Sequence, residues 1–221
     1  MVSLLDIIGP VMVGPSSSHT AGACRIGLFA RGLVGGQPET ARVELHGSFA
    51  RTGTGHGTDR AIAGGLLGFL PDDERLRESL ELAERAGLAI TFQNTRLRGD
   101  HHPNTTRISV RRGDLQAVVT GSSIGAGRIL ITAIDGFAVE VTGSFPTLVF
   151  IAQDVPGIIA AVSTVLAREG DNIATMKVSR RQKGGEAIHI YELDQPASGP
   201  AIEVLRTIPA VSMVRSIPRI A

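Results

Sequence analysis

A chain of 221 residues, 43% of them apolar, is long enough to bury a substantial core as one large domain or two small ones. Its formal net charge of +1, with no run of Lys or Arg longer than two, gives no general attraction to a phosphate backbone and excludes nucleic acid as an expected partner. Cys24 is the sole cysteine, so an internal disulfide and any metal site built on several thiolates of this chain are excluded too.

The opening segment, Met1 to Val13, is apolar but carries Asp6 and no basic start. No stretch has the length needed to span a bilayer, so no membrane association and a cytoplasmic location are expected. After Gly14 to Thr20 the pattern is that of an amphipathic helix reaching about Leu33, with Ile26, Phe29 and Leu33 at helical spacing and the serines placed as caps. Cys24 near its start reads as a small packed residue or as a thiolate favoured by the helix dipole. Ala41 to His46 alternates as a strand, Val43 and Leu45 on one face and Arg42, Glu44 and His46 on the other. Thr58 or Asp59 caps a helix from Arg60 to Pro71, and Asp73 to Ala86 forms a third, with Leu76, Leu80 and Ala83 inward and Gly87 as its stop. Short apolar runs at Leu88 to Phe92, Arg107 to Val110, Ala117 to Val119, Ile129 to Ile134 and Phe137 to Val141 then read as strands joined by tight turns.

A second pattern begins at Thr147. A strand (TLVFIA), a turn (DVPG), a helix from Ile158 to Glu169, two strands at Asn172 to Arg181 and Glu186 to Asp194, a helix from Pro200 to Thr207 and a last strand at Val211 to Ile217 give the order βαββαβ. The expected architecture is therefore of the α/β (α+β) class. A mixed α/β domain over residues 1–144 is followed by a ferredoxin-like βαββαβ domain over 147–221.

Chemistry concentrates in three short segments: GPSSSHT (Gly14 to Thr20), HGSF (His46 to Phe49) and TGTGHGTD (Thr52 to Asp59). Ser16, Ser17, Ser18 and Thr20, together with free N–H groups of a helix start, suit a carboxylate or phosphate, although serines before a helix also serve simply as caps. A Walker loop is excluded, because no Gly-Lys-Ser/Thr follows. His46 and His56 lie among glycines that admit a small molecule, and imidazole is the side chain best matched to proton transfer near neutral pH. The nine-residue interval between them is not a zinc spacing and no HExxH occurs, so no metal is expected on this chain alone. HHPNTT (His101 to Thr106) reads as a polar turn, GSSIGAGRI (Gly121 to Ile129) as a loop able to converge N–H groups on an anion, and DVPG (Asp154 to Gly157) as a helix-start receptor for a carboxylate or a plain turn.

These motifs carry a resemblance. DIIGPVMVGPSSSHTAGA at Asp6 to Ala23, GSFARTGTGHGTDRAI at Gly47 to Ile62, HPNT at His102 to Thr105, SIGAGRI at Ser123 to Ile129 and a C-terminal ACT-type domain from about Thr147 are similar to the β subunit of bacterial iron-sulfur-dependent L-serine dehydratases (L-serine ammonia-lyases) of the two-subunit form. Ala126 stands where the family pattern leads one to expect a third glycine. The resemblance implies conversion of L-serine to pyruvate and ammonia by dehydration. A 4Fe-4S cluster would be ligated by cysteines of a partner α subunit and not by this chain. It further implies His19 and His56 as catalytic residues at the subunit boundary, one of them moving the proton, with His56 favoured by its flanking glycines. Ser16, Ser17, Ser18 and Thr20, with His46, Gly47, Ser48, Thr58 and Asp59, would then bind substrate, and Asp154, Pro156 and Gly157 would form a regulatory turn. The ACT unit implies serine as an effector or an assembling role through homo-association. Two other classes fit parts of the pattern: a non-catalytic amino-acid-binding regulatory protein, and a metallohydrolase using the three histidines.

Overall fold

The structure, a computed structural model, describes residues 11–53 and 55–220; the apolar start up to Pro10, Thr54 of the TGTGHGTD segment and Ala221 lie outside the described residues. The chain divides into two compact units. Among the described residues, unit 1 runs to Gly136 and includes Glu140–Thr142; unit 2 comprises Phe137–Val139 and Gly143–Ile220.

A six-stranded sheet forms the frame of the first unit, in the order β2-β1-β3-β4-β5-β6. The strands are β1 (Thr40–His46), β2 (Ala89–Thr95), β3 (Thr105–Arg112), β4 (Leu115–Ser123), β5 (Ile129–Ile134) and β6 (Phe137–Val141). β1 pairs parallel with β2 and antiparallel with β3, which continues antiparallel through β4 and β5. A parallel pair needs a crossover, and four helical segments supply it: α2 (Gly47–Thr52), α3 (Thr58–Leu67), a 3-10 turn (Glu74–Glu78) and α4 (Ser79–Arg85).

Helix α1 (Ala23–Leu33) buries Ile26, Phe29 and Leu33, the residues whose spacing predicts it. It packs on α3 through glycines: a methyl group at Gly27 would sit 2.6 Å from the Ile62 carbonyl oxygen, and one at Gly65 would overlap the Cys24 carbonyl. That contact brings two backbones together with no side chain between them. Beneath α1, a methyl group at Gly121 on β4 would meet Ile131 and Ile26, so this glycine lets the helix settle on the sheet.

Several boundaries differ from the sequence expectation, each for a local reason. The GPSSSHT segment does not lead straight into an α-helix, because Ser17–Gly22 forms a π-helical turn first. Helix α3 starts at Thr58, earlier than expected; its N-cap is Gly57 in the left-handed conformation (φ 70°), and neither Thr58 nor Asp59 caps it. The helix expected over Asp73 to Ala86 is split, since Asp73 caps a 3-10 turn by accepting from the Arg75 N–H before α4 begins. Within the GSSIGAGRI segment, Gly121 to Ser123 belong to β4, so only residues 124–128 form a turn.

The second unit follows the expected βαββαβ order: β7 (Thr147–Gln153), α5 (Ile158–Arg168), β8 (Ile173–Arg180), β9 (Glu186–Leu193), α6 (Gly199–Arg206) and β10 (Val211–Ile217). Its sheet runs β10-β7-β9-β8, all pairs antiparallel. Leu148, Phe150, Val162, Leu166, Tyr191 and Leu205 form the centre of its core. No helix among the described residues is long and apolar enough to cross a membrane.

Candidate active site

The π-helical turn places His19 at the entry to α1, 8% exposed. Ser16 accepts the His19 backbone N–H at 3.3 Å, and its Oγ lies 3.4 Å from the ring Nδ1. The opposite ring nitrogen, Nε2, meets two hydroxyls of α2: Thr52 Oγ1 at 3.1 Å and Ser48 Oγ at 3.4 Å. Thr52 Oγ1 in turn donates to the Ser48 carbonyl at 3.0 Å, which fixes it beside the imidazole. Phe49 of the same helix stands edge-on to the ring, 5.2 Å between centroids. Both nitrogens of His19 are thus engaged.

His56 lies beside it, the two ring centroids 4.8 Å apart. Its own Nδ1 is buried without a hydrogen-bond partner among the described residues. His56 borders a cavity of about 430 Å³ whose wall also includes Thr20, Arg60, Leu76 and Arg77. That is ample volume for a small amino acid. Thr20 Oγ1 and Thr58 Oγ1 are likewise buried and unpartnered, so hydroxyl and imidazole valences are left unsatisfied in this region. Burial, and then the neighbouring His56, hold His19 below its ordinary value, with the Ser48 backbone acting the other way. Burial thus favours the uncharged form of His19, beside a second imidazole.

Helix α2 owes its place to the HPNT turn. The Ser48 N–H donates to the Pro103 carbonyl at 2.7 Å, and a side chain at Gly47 (φ 57°) would run into that same carbonyl, 2.5 Å away. Asn104 O accepts the Ser123 N–H at 2.9 Å, which anchors the turn to the end of β4.

The expected site residues are thus sorted. Ser16, His19, Ser48 and His56 come together, and Thr20 lines the adjoining cavity. Ser17 and Ser18 are half-buried in the π turn and make no hydrogen bond to His19, while Asp59 Oδ1 accepts the Arg60 N–H at 2.9 Å. His46 and Gly47 border a different cavity, where His46 faces His101 at 5.9 Å between centroids. Asp154 is tied to structure: its Oδ2 accepts from Arg180 at 2.7 Å and from the Gly184 N–H at 3.2 Å, and these bonds hold its carboxyl below the usual range. Gly157 is the left-handed N-cap of α5 (φ 90°), and Pro156 lies in the exposed turn before it. Sequence reasoning missed Thr52, Arg60 and Arg77. Thr52 stands four residues after Ser48, a spacing that puts both hydroxyls on one helical face once α2 is known to be a helix.

The thiol of Cys24 is buried, donates to the Phe69 carbonyl at 3.2 Å and is pushed up to about 12, chiefly by burial. The dipole-favoured thiolate therefore does not form, and the packed reading holds. Among the described residues no group of three or more His, Cys, Asp or Glu is arranged to hold a metal ion.

A family model for the serine dehydratase beta chain matches residues 3–86, and one for the ACT domain matches residues 147–210. The chain is 43% identical over 217 residues to a probable L-serine dehydratase beta chain of Bacillus subtilis, covering 97% of each protein. It is 42% identical over 196 residues to the L-serine dehydratase beta chain of Peptoniphilus asaccharolyticus, covering 88% of each. L-serine dehydratase 2 of Escherichia coli shares 44% identity over 78 residues, 33% of this chain and 17% of that protein. With near full-length identity to two such chains, a βαββαβ unit where the ACT model matches, and an imidazole pair assembled from SSSHT and GHGTD, the protein belongs to the L-serine dehydratase beta-chain family.

Proposed function

We propose that this chain is the β subunit of a two-chain L-serine ammonia-lyase, in which His56 moves the substrate Cα proton and His19 positions it. The observation that carries the assignment is the difference between two adjacent imidazoles. His19 has its nitrogens engaged by Ser16, Ser48 and Thr52, whereas His56 borders the cavity with a buried, unpartnered Nδ1. A saturated imidazole is a poor proton acceptor; one with an unpartnered nitrogen, beside a substrate-sized cavity, is the better candidate.

The reaction balances as follows. A base takes the proton from Cα, the electron pair forms the Cα=Cβ bond, and the Cβ hydroxyl leaves with its C–O electron pair, becoming water as it takes up the proton the base gives back. The resulting aminoacrylate tautomerises and hydrolyses to pyruvate and ammonia. Thr20, together with the Arg60 guanidinium, offers a hydroxyl and a positive charge for the serine carboxylate. Burial favours the uncharged form of His19, the ring packed beside His56.

A 4Fe-4S cluster with one open iron, when bound, supplies Lewis acidity toward the serine hydroxyl and carboxylate. One unreactive thiol cannot hold it, so its ligands belong to a partner α subunit. The ACT unit takes a regulatory or assembling part. Its edge strand β8 exposes Ala174 to Val178, a row open to a second copy, and serine is the effector proposed for it. The assembled enzyme would work in the cytoplasm.

The test is His56→Gln in the anaerobically co-expressed two-chain complex, assayed for pyruvate from L-serine. Turnover is expected to fall by about a hundredfold or more, the usual contribution of a general base. A loss smaller than about tenfold refutes the assignment of His56. Serine deamination by the purified chain alone, free of iron and partner, refutes the two-chain reading.

A further inference from the structure

On the side of α2 turned away from His19 lies a second cavity, of about 440 Å³. Ser48, Phe49 and Thr52 meet His19, while Gly47, Ala50 and Arg51 of the same helix border this cavity. Its wall combines Arg51, Arg96, His46 and His101 with Thr95, and it contains no carboxylate.

Three of the four nitrogenous groups can donate into the cavity, the two guanidinium groups and the His46 imidazole. His46 Nδ1 accepts the Leu97 N–H at 3.2 Å, so in the neutral ring the proton resides on Nε2. His101 Nε2 lies 2.9 Å from the Arg98 carbonyl oxygen and donates to it. Neither Arg51 nor Arg96 has an ion-pair partner among the described residues. Elsewhere in this unit, Arg42, Arg75, Arg77, Arg85, Arg107 and Arg111 face carboxylates, while Arg25, Arg31 and Arg112 donate to backbone carbonyls. Burial, followed by the charges of His101, Arg96 and Arg51, depresses the basicity of His46. A concave wall carrying two unpaired guanidinium groups and an imidazole N–H, with no acid of its own, is complementary to an oxyanion.

We propose that this cavity binds a small dianion, a phosphate ester or a dicarboxylate, between Arg51 and Arg96, with the His46 Nε2–H as a further donor. The charge requirement follows from the two guanidinium groups, and the volume sets the upper size at that of a small metabolite and not a polymer. The proposal stands independently of the dehydratase reading, because its test measures binding by this chain and not turnover.

The purified full chain is titrated calorimetrically at pH 7 and about 0.1 M salt, where surface charges are partly screened. Inorganic phosphate and malonate serve as separate probes, and acetate as the singly charged control. Saturable one-site binding is expected for phosphate, malonate or both, at least about tenfold tighter than for acetate, a factor worth 1.4 kcal/mol. Preference between the two probes distinguishes a phosphate ester from a dicarboxylate. The double variant Arg51→Gln/Arg96→Gln, in which both exposed side chains keep their stems, is expected to weaken binding by about tenfold or more. Arg98→Gln, on an exposed arginine outside the cavity wall, is expected to leave it unchanged. Absence of saturation with either probe overturns the proposal, as do acetate binding equally well and the double variant behaving like the parent. An equal loss in Arg98→Gln means diffuse surface charge and overturns it too.

Discussion

His189 gives the most direct quantitative test of how the second unit is held together. It lies on β9, paired with Phe150 of β7, and is 1% exposed. Its ring stacks on Phe150 with centroids 4.3 Å apart and planes 11° from parallel, and Tyr191 stands edge-on at 6.2 Å. Neither ring nitrogen has a hydrogen-bond partner. Burial drives its pKa from the ordinary 6.5 down to about 4, against a smaller opposing pull from Asp154.

The sign follows from linkage. Because the folded pKa is below the unfolded one, the unfolded chain binds the extra proton first, so stability is full above about pH 6.5 and falls as the pH drops toward about 4. At 1.36 kcal/mol per pH unit across that window, the loss attributable to His189 is about 2 kcal/mol at pH 5 and about 3 kcal/mol when the titration is complete. His189→Leu removes the titrating group and its unsatisfied nitrogens at similar volume. The variant is expected to be at least as stable as the parent at pH 7.5 and about 2 kcal/mol more stable at pH 5. Tyr191 is the sole tyrosine and the chain has no tryptophan, so tyrosine fluorescence during urea unfolding reports on this core alone. If parent and variant lose stability in parallel between pH 7.5 and 5, the buried imidazole is not the titrating group and the reasoning fails.

Two further perturbations test the first unit. Ala126 is held at φ 50°, a left-handed conformation that costs a residue with a Cβ about 1 kcal/mol, so Ala126→Gly is expected to raise the unfolding free energy by up to that amount, read by thermal melting; an unchanged or lower midpoint refutes it. Gly65→Ala drives a methyl group into the Cys24 carbonyl and, 2.8 Å away, the Leu28 amide nitrogen; the expected cost is about 3 kcal/mol or more in urea unfolding followed by circular dichroism, and a loss under about 1 kcal/mol would mean that α1 and α3 separate easily.

Periodicity made most of the elements legible. α1 and the six elements of the ACT unit carry clean apolar repeats and appear within one or two residues of expectation. Helix α2 was not legible, because GSFART is six residues long, opens on a glycine and offers Phe49 as its one buried residue. Its helical form depends on the HPNT turn, more than fifty residues downstream, which accepts the Ser48 N–H. The separation of His46 from His19 is legible in the alternation of β1. Val43 and Leu45 are buried on the face of β1 that alternation assigns to the core, and His46 falls on the other face with Arg42 and Glu44. His19, packed against Phe49 at the entry to α1, lies with the core side, so two of the three imidazoles meet and the third does not.

The glycines around the histidines divide by the same logic. Their abundance reads as room for a ligand, yet several serve closure of the fold: a Cβ at Gly14 would overlap Thr20, one at Gly47 would strike the Pro103 carbonyl, and one at Gly53 would overlap the Phe49 carbonyl. Those positions are glycine because chain segments press together there, and that pressing is what brings Ser48 and Thr52 onto His19. Gly55 and Gly57 behave differently. The nearest atom to a Cβ at Gly55 is the Thr52 carbonyl oxygen at 3.7 Å, and at Gly57 nothing lies within 4 Å. Of these five glycines, only the two that flank His56 have open space, and both border the 430 Å³ cavity. Closure around one imidazole and access to the other come from the same residue type, and the neighbouring atoms decide which.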